Sequence, residues 1–443
     1  MRRLSLLAAV TALTALPALA LAGEYALVID EQVVNITGKP VKRITVNGTI
    51  PGPALRFKEG EEVVVRVTNR LKENTSVHWH GLILPPEQDG VPGFNGFPGI
   101  KPGQTYTYRF PIQQSGTYWY HAHSATQEQS GHYGPLIIEP AAQPVVPADR
   151  EHTVLLSDFT EEDPEEIISN LKVDPGFYNF SKRTVPDFFR DARKFGFRAA
   201  WRDRKAWGRM RMDPTDIADV ANYHFLVNGK PAAKNETFLF RPGERVKLRF
   251  INASAMTFFD VRIPGLKMTV VAADGRAVEP VAVDEFRFAV SETYDVIVEP
   301  ATEQAFTVFA ESIDRTGYAR ATLAPREGMT APVPAMRPRA LLTMAEMGHN
   351  MSRMGGMDHA AMGHGSASAS AGVDHTAMGH GSAAGQTATA PAQPVDHAAM
   401  GHGPAPAQPA PKAGPDHAAM GHGAPPVPAA RSAASGTDHS AMD

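Results

Sequence analysis

Two His-x-His motifs, His78-Trp79-His80 and His121-Ala122-His123, constrain this chain more than any other feature. In an extended strand, residues i and i+2 point to the same face. Each motif therefore offers two imidazoles on one side and turns Trp79 or Ala122 to the other. Two such strands side by side make a four-histidine site. Imidazole suits copper, zinc, iron and nickel, so the histidines alone do not name a metal. Two same-face pairs are hard to read as core filling, because a histidine is costly to bury unpaired.

The 443 residues, 43% of them hydrophobic, are enough for two or three domains. A formal charge of −4 points to neither nucleic acid nor an acidic membrane as partner. Residues 1–22 read as a signal peptide: Arg2 and Arg3, an apolar run from Leu4 to Leu16, then Ala20-Leu21-Ala22 as a cleavage site. The run is short and Pro17 follows it, which favours cleavage over a membrane anchor and a periplasmic location for the mature chain. The Arg pair is similar to a twin-Arg signal, but the rest of that motif is missing, so Sec export is the expected route. No other stretch reads as a membrane span. The sequence contains no cysteine, so an exported chain of this kind has no disulfide support and must rely on packed cores.

Residues 23–145 read as one β-sandwich, with strand-like runs at Tyr25–Ile29, Glu62–Val67, Tyr106–Phe110 and Pro135–Ile138 between Gly/Pro turns. Residues 146–328 read as a second, with strands at Thr153–Leu156, Phe225–Val227, Val246–Ile251, Met268–Val271, Phe286–Val290 and Val296–Val298. Helical spacing marks an insertion over 161–212, with helices expected at Glu165–Leu171 and Val185–Trp207. The second is basic: Arg190, Arg193, Lys194, Arg198, Arg202, Arg204 and Lys205. A solvated helix face is the bland reading of that run, and a docking patch for an acidic partner is the other.

From residue 340 to 443 the composition shifts to Ala, Gly, Pro, Met, His and Ser, and such a segment is expected to be disordered. It carries a repeat, MDHAAMGHG (357–365), VDHTAMGHG (373–381), VDHAAMGHG (395–403) and PDHAAMGHG (415–423), and a fifth copy begins at Thr437. The spacers vary, which indicates a tethered array rather than a solenoid. The ligand candidates are His359, Met362 and His364; His375, Met378 and His380; His397, Met400 and His402; and His417, Met420 and His422. Thioethers are soft and select Cu(I), and imidazole binds both copper oxidation states. Zinc is less well served by thioethers without a thiolate.

Residues 47–69, VHWHGLILPPEQDGVPG (77–93) and QSGTYWYHAHSATQEQSGHYGPLIIEP (114–140) together resemble the multicopper oxidases. The likeness is closest to the CopA family of periplasmic copper-resistance proteins, and it continues through RMDPTDIADVANYHF (211–225), residues 241–275 and SETYDVIVEP (291–300). The resemblance implies a mainly β protein of two cupredoxin-like Greek-key sandwiches, with the helical insertion in the second and a disordered Met/His-rich tail. It implies copper as cofactor, with His78 facing a type 2 copper position and His80, His121 and His123 facing a type 3 pair. It assigns Asp89, in a turn near the first motif, a share in proton delivery. His132 matches no ligand, and His152 and His224 are expected to be ordinary histidines.

The chain departs from the family pattern in two ways. It has no third or fourth His-x-His motif and no cysteine for a type 1 copper. These residues therefore supply half of a trinuclear site. Full-length relatives are expected to oxidise Cu(I) or phenols while reducing dioxygen, and to sequester copper. The expected partners are copper ions and other periplasmic copper-handling proteins, without nucleic acid. A non-catalytic copper-sequestering or storage protein, or a truncated piece of the oxidase, is the competing expectation.

Overall fold

The computed structural model describes residues 23–144, 146–221 and 223–343. The expected signal peptide and the repeat segment lie outside the described residues.

The first sandwich has eight strands: β1 (Gly23–Val34), β2 (Val41–Val46), β3 (Leu55–Lys58), β4 (Glu62–Asn69), β5 (His78–His80), β6 (Thr105–Pro111), β7 (Gly116–His121) and β8 (Tyr133–Glu139). They form two sheets, ordered β2-β1-β4-β6 and β3-β8-β7-β5. The pairs β1/β4 and β3/β8 are parallel and the remaining neighbours antiparallel, so the chain crosses between layers. Period-two patterning sets which side faces the core. In β4, Val63, Val65 and Val67 point inward and join Leu27, Phe57, Trp79, Tyr108, Phe110 and Tyr120. Trp79 is fully buried there, which leaves its neighbours His78 and His80 on the other side of the sheet.

The second sandwich begins with β9 (Arg150–Phe159), followed by helices α1 (Pro164–Val173), α2 (Val185–Phe195) and α3 (Phe197–Met210). Then come β10 (His224–Val227), β11 (Lys230–Pro231), β12 (Glu236–Leu239), β13 (Val246–Asn252), β14 (Phe259–Arg262) and β15 (Met268–Ala273). The last strands are β16 (Arg276–Val283), β17 (Glu285–Phe288), β18 (Thr293–Val298), β19 (Phe306–Ser312) and β20 (Tyr318–Ala324). The sheets run β11-β10-β9-β13-β18-β15-β16 and β12-β20-β19-β14-β17, over a core that includes Phe238, Phe250, Phe259, Phe288 and Val296.

The single helix expected over Val185–Trp207 is two helices. Gly196 breaks it, at φ +89° and ψ 145°. A side chain is strained in that region and glycine is not, so the apolar periodicity continues across a break that the backbone does not follow. Asp187 accepts the backbone N–H of Thr184 at 2.6 Å and fixes the start of α2. Among the described residues no helix is long and apolar enough to cross a membrane.

The strand that carries the second histidine motif is locked to the second sandwich. In β7, Thr117, Trp119 and His121 share the outer face. Trp119 packs with Tyr133 against Leu155, Ile251 and Ala253 of the other layer. Thr117 donates to Asp295 at 2.5 Å and accepts from Arg249 at 2.9 Å, while Arg249 also reaches Asp295 at 2.9 Å. Thr293 donates to the Thr117 carbonyl at 2.9 Å. The stripe is held firmly at its start, and His121 sits at its far end.

Candidate metal centre

Strands β5 and β7 pair antiparallel so that His78 lies opposite His121 and His80 opposite Trp119. His123 follows just beyond the end of β7. The four rings gather on one side of the sheet. The His78 ring centre is 5.7 Å from that of His80, 5.4 Å from His121 and 5.5 Å from His123. The His121 ring is 5.5 Å from His80 and 5.9 Å from His123. One ligand atom each from His78, His80 and His121 lies within 4.8 Å of the others. His123 is exposed at the rim and falls outside that tighter group.

The hydrogen bonds set the tautomers. A carbonyl only accepts, so Nδ1 of His78 carries the proton that it donates to the Asp89 carbonyl at 2.9 Å. Its Nε2 lone pair is left for a ligand. His121 Nδ1 likewise donates to the Ala122 carbonyl at 2.9 Å and lies 2.7 Å from a Glu128 carboxylate oxygen. The Trp119 ring stacks on His121 at 4.1 Å and fixes its plane. His80 Nδ1 and His121 Nε2 face each other at 3.4 Å. Two nitrogens bound at about 2.0–2.1 Å to one tetrahedral ion stand about 3.3 Å apart, so this pair already has the spacing of a shared ion.

The electrostatics favour the neutral form of His78 and His80. Burial, then the charges of His121, His78 and His123, pulls His80 down to about 4. His78 is lowered as well, chiefly by burial, against the opposing pull of Asp89. Neutral imidazole is the form that binds a metal.

The geometry adds residues that the motif spacing did not point to. Glu128 lies in the Ser124–Gly131 loop, whose turn is closed by Ser130 N–H donating to the Thr126 carbonyl at 3.0 Å. Nothing in the sequence marks a carboxylate five residues beyond the motif as a partner of His121. Ser76 anchors the second motif, accepting the His123 backbone N–H at 2.9 Å. Asp89 also brings its carboxylate to 3.5 Å from His78 Nδ1.

The other histidines stand apart. His132 is fully buried, 3.3 Å from Thr75 Oγ1, and its Nε2 has no partner among the described residues. His152 hydrogen-bonds the Leu239 carbonyl at 2.7 Å, and His224 pairs with Glu161 at 3.1 Å, both in the second sandwich. The twelve ligand candidates from His359 to His422 lie outside the described residues.

Comparison with known proteins gives a consistent picture. Residues 28–143 and 150–328 match two family models, each described as multicopper oxidase. Copper resistance protein A of Escherichia coli is 56% identical over 347 residues, 77% of this chain and 56% of that protein. The protein of the same name from Pseudomonas syringae pv. tomato is 57% identical over 341 residues, 76% of this chain and 55% of that one. Multicopper oxidase MmcO of Mycobacterium tuberculosis is 33% identical over 70% of this chain and 57% of its own length. The chain thus spans little more than half of these relatives. Among solved structures, the Botrytis aclada laccase superposes with a TM-score of 0.55 at 26% identity, covering 72% of this chain and 56% of that one. The multicopper oxidase Fet3p gives 0.56 at 22% identity, over 72% and 55%, and supports the fold alone.

Proposed function

We propose, from the premise that this chain belongs to the multicopper oxidase family, that it is a periplasmic copper-resistance protein whose folded histidines hold copper. The family's cofactor is copper. The observation that carries the reading is the group formed by His78, His80 and His121, with ligand atoms within 4.8 Å of one another and with His78 and His80 biased to the neutral form. His123 joins them by a side-chain rotation at the rim. Similarity to copper resistance proteins favours this reading over storage alone.

Each nearby group has a task in this reading. Asp89 and Glu128 hold the Nδ1 protons of His78 and His121, which directs both Nε2 lone pairs to the ion. Trp119, buried under the cluster, excludes water from one side. The Asp89 carboxylate, partly exposed beside His78, is placed to pass protons between solvent and the site. Imidazole-bound copper supplies one-electron redox chemistry when present. The 443 residues include no cysteine, so they provide no thiolate for a type 1 copper. The oxidation of Cu(I) or phenols is therefore not assigned to these residues alone. The Asp-His-x-x-Met-x-His repeats are assigned to gathering copper as cargo, Cu(I) before zinc.

The test counts copper bound by the full chain and by the His80→Ala/His121→Ala variant. We expect the variant to bind fewer copper ions than the parent chain while keeping the copper bound by the repeats. An unchanged copper count in the variant would overturn the assignment.

A further inference from the structure

The helical insertion carries a surface that the copper site does not use. In α3, Ala200, Asp203 and Trp207 are buried and fall on one stripe of the helix. In α2 no residue is buried, so this helix forms the outer layer. Its free face is apolar. Val185 is 69% exposed, Phe189 62%, and Phe197 and Trp201 of α3 61% and 59%. Phe188 joins them into one patch, with ring centres 5.5 Å from Phe189, 5.5 Å from Phe197 and 6.3 Å from Trp201. Contiguous exposed aromatic rings on a soluble domain mark an interaction surface.

The charge around the patch names the chemistry of the partner. Residues 182–212 contain eleven Lys and Arg against three Asp, a net +8 within a chain of net −4. The three carboxylates are paired inside the hairpin: Asp187 with Arg190, Asp191 with Arg204 at 3.7 Å, and Asp203 with Arg183 at 2.6 Å. Among the described residues, Arg193, Arg198, Lys205 and Arg209 have no carboxylate partner, and Lys194 lies over the Phe195 ring at 5.0 Å. The near-neutral balance of the whole chain conceals this local excess. It therefore gave no ground for excluding an acidic membrane.

We propose that the α2–α3 hairpin docks the protein on an anionic phospholipid surface, with Phe189, Phe197 and Trp201 entering the headgroup layer and the surrounding Arg and Lys side chains meeting the lipid phosphates. Amphipathic helices with aromatic residues on one face and basic residues on the other lie in the bilayer interface without crossing it. Each basic residue near an anionic leaflet adds attraction that salt screens. Trp is also suited to the interface, with an apolar body and a polar N–H. The turn at Gly196 stands free, since a Cβ built there meets nothing within 4 Å.

The experiment is flotation of the full chain with phosphatidylcholine vesicles containing about one third phosphatidylglycerol, against vesicles of phosphatidylcholine alone. The protein should float with the anionic vesicles only and should be released by raising salt to about 0.5 M. Trp79, Trp119 and Trp207 are buried, so a blue shift on binding belongs to Trp201 and should vanish in Trp201→Phe. Phe189→Ala/Phe197→Ala/Trp201→Ala should weaken partition at least about tenfold. Arg193→Gln/Arg198→Gln/Lys205→Gln, which removes only exposed charge, should do the same while leaving copper binding at the folded histidines unchanged. Failure to float on anionic vesicles, equal binding to neutral ones, or wild-type flotation by the charge variant would overturn the proposal. So would a concentration-dependent dimer abolished by the aromatic variant, which would give the patch to a second copy. None of these results bears on the copper assignment.

Discussion

Glu128 holds its carboxylate 2.7 Å from Nδ1 of His121, while the opposite nitrogen of that ring faces His80 at 3.4 Å. The ring is thus fixed at both ends before any ion arrives. A carboxylate behind a ligating imidazole sets the tautomer and raises the basicity of the far nitrogen.

Removing that carboxylate should weaken copper at the folded site. We expect Glu128→Ala to lower affinity by about 10–100-fold, and Glu128→Gln by less, since the amide oxygen still accepts the Nδ1 proton. Competition titration with a chelator reads both. Equal affinity in Glu128→Ala and the parent would mean that Glu128 is a bystander.

The apo protein should lose stability in mild acid. Burial, then the neighbouring His charges, puts His80 at about 4, and burial, then His121, puts His132 at about 3. Both fall below the unfolded value of about 6.5. Between those values the unfolded chain binds more protons, so stability rises with pH across the window. It is fully present above about pH 6.5 and falls as pH drops toward 4 and then 3. The loss should be on the order of 3 kcal/mol for each of the two histidines, read as a shift in urea midpoint between pH 7 and pH 4. His132→Asn should flatten that dependence, and copper should oppose it. A midpoint that stays level over this range would contradict the burial argument.

The sequence made the centre legible where periodicity governs. The His-x-His pairs needed only the two-residue repeat of a strand to fall on one face, and Trp79 on the core face follows from the same rule. Strands such as β4 and β13 were visible because their Val, Leu, Ile and Phe residues form compact runs. The three-residue strand β5 was legible only through its histidine spacing, and it is held by pairing to β7. The break at Gly196 was hidden because apolar spacing reports which residues face inward and not the backbone angle between two helices. Glu128 was hidden for a related reason: a loop brings it back onto His121, and loop closure leaves no period to read.

Thr117 of the first sandwich meets a buried ion pair of the second. Arg249 and Asp295 are 5% and 6% exposed and meet at 2.9 Å, with Thr117 bonded to both. Arg249→Met should cost about 3–5 kcal/mol, because it strands a buried carboxylate. Adding Asp295→Leu should recover most of that loss, since a well-packed apolar pair can replace a buried ion pair. Chemical unfolding of the two variants decides it. A double variant as unstable as the single one would show that the cost lies in packing rather than in charge.

The last prediction concerns Gly90, which follows Asp89 and has φ +80°. A Cβ built there would lie 1.8 Å from the carbonyl oxygen of Val77, the residue before His78. No side chain rotation relieves a clash between a Cβ and a backbone carbonyl, so an alanine must push the two segments apart. That movement would break the 2.9 Å hydrogen bond from His78 to the Asp89 carbonyl and free the His78 ring. Nearby Gly93 has a similar φ of +84°, but a Cβ there meets nothing within 4 Å. It isolates the conformational cost of a positive φ, about 1–2 kcal/mol. Gly90→Ala should therefore destabilise the protein by more than Gly93→Ala and lower copper affinity at the folded site about tenfold or more, in line with the loss of a partner behind a ligand. Gly93→Ala should leave that affinity at the parent value. If the two variants lose copper equally, the close approach of Gly90 to Val77 does not position His78.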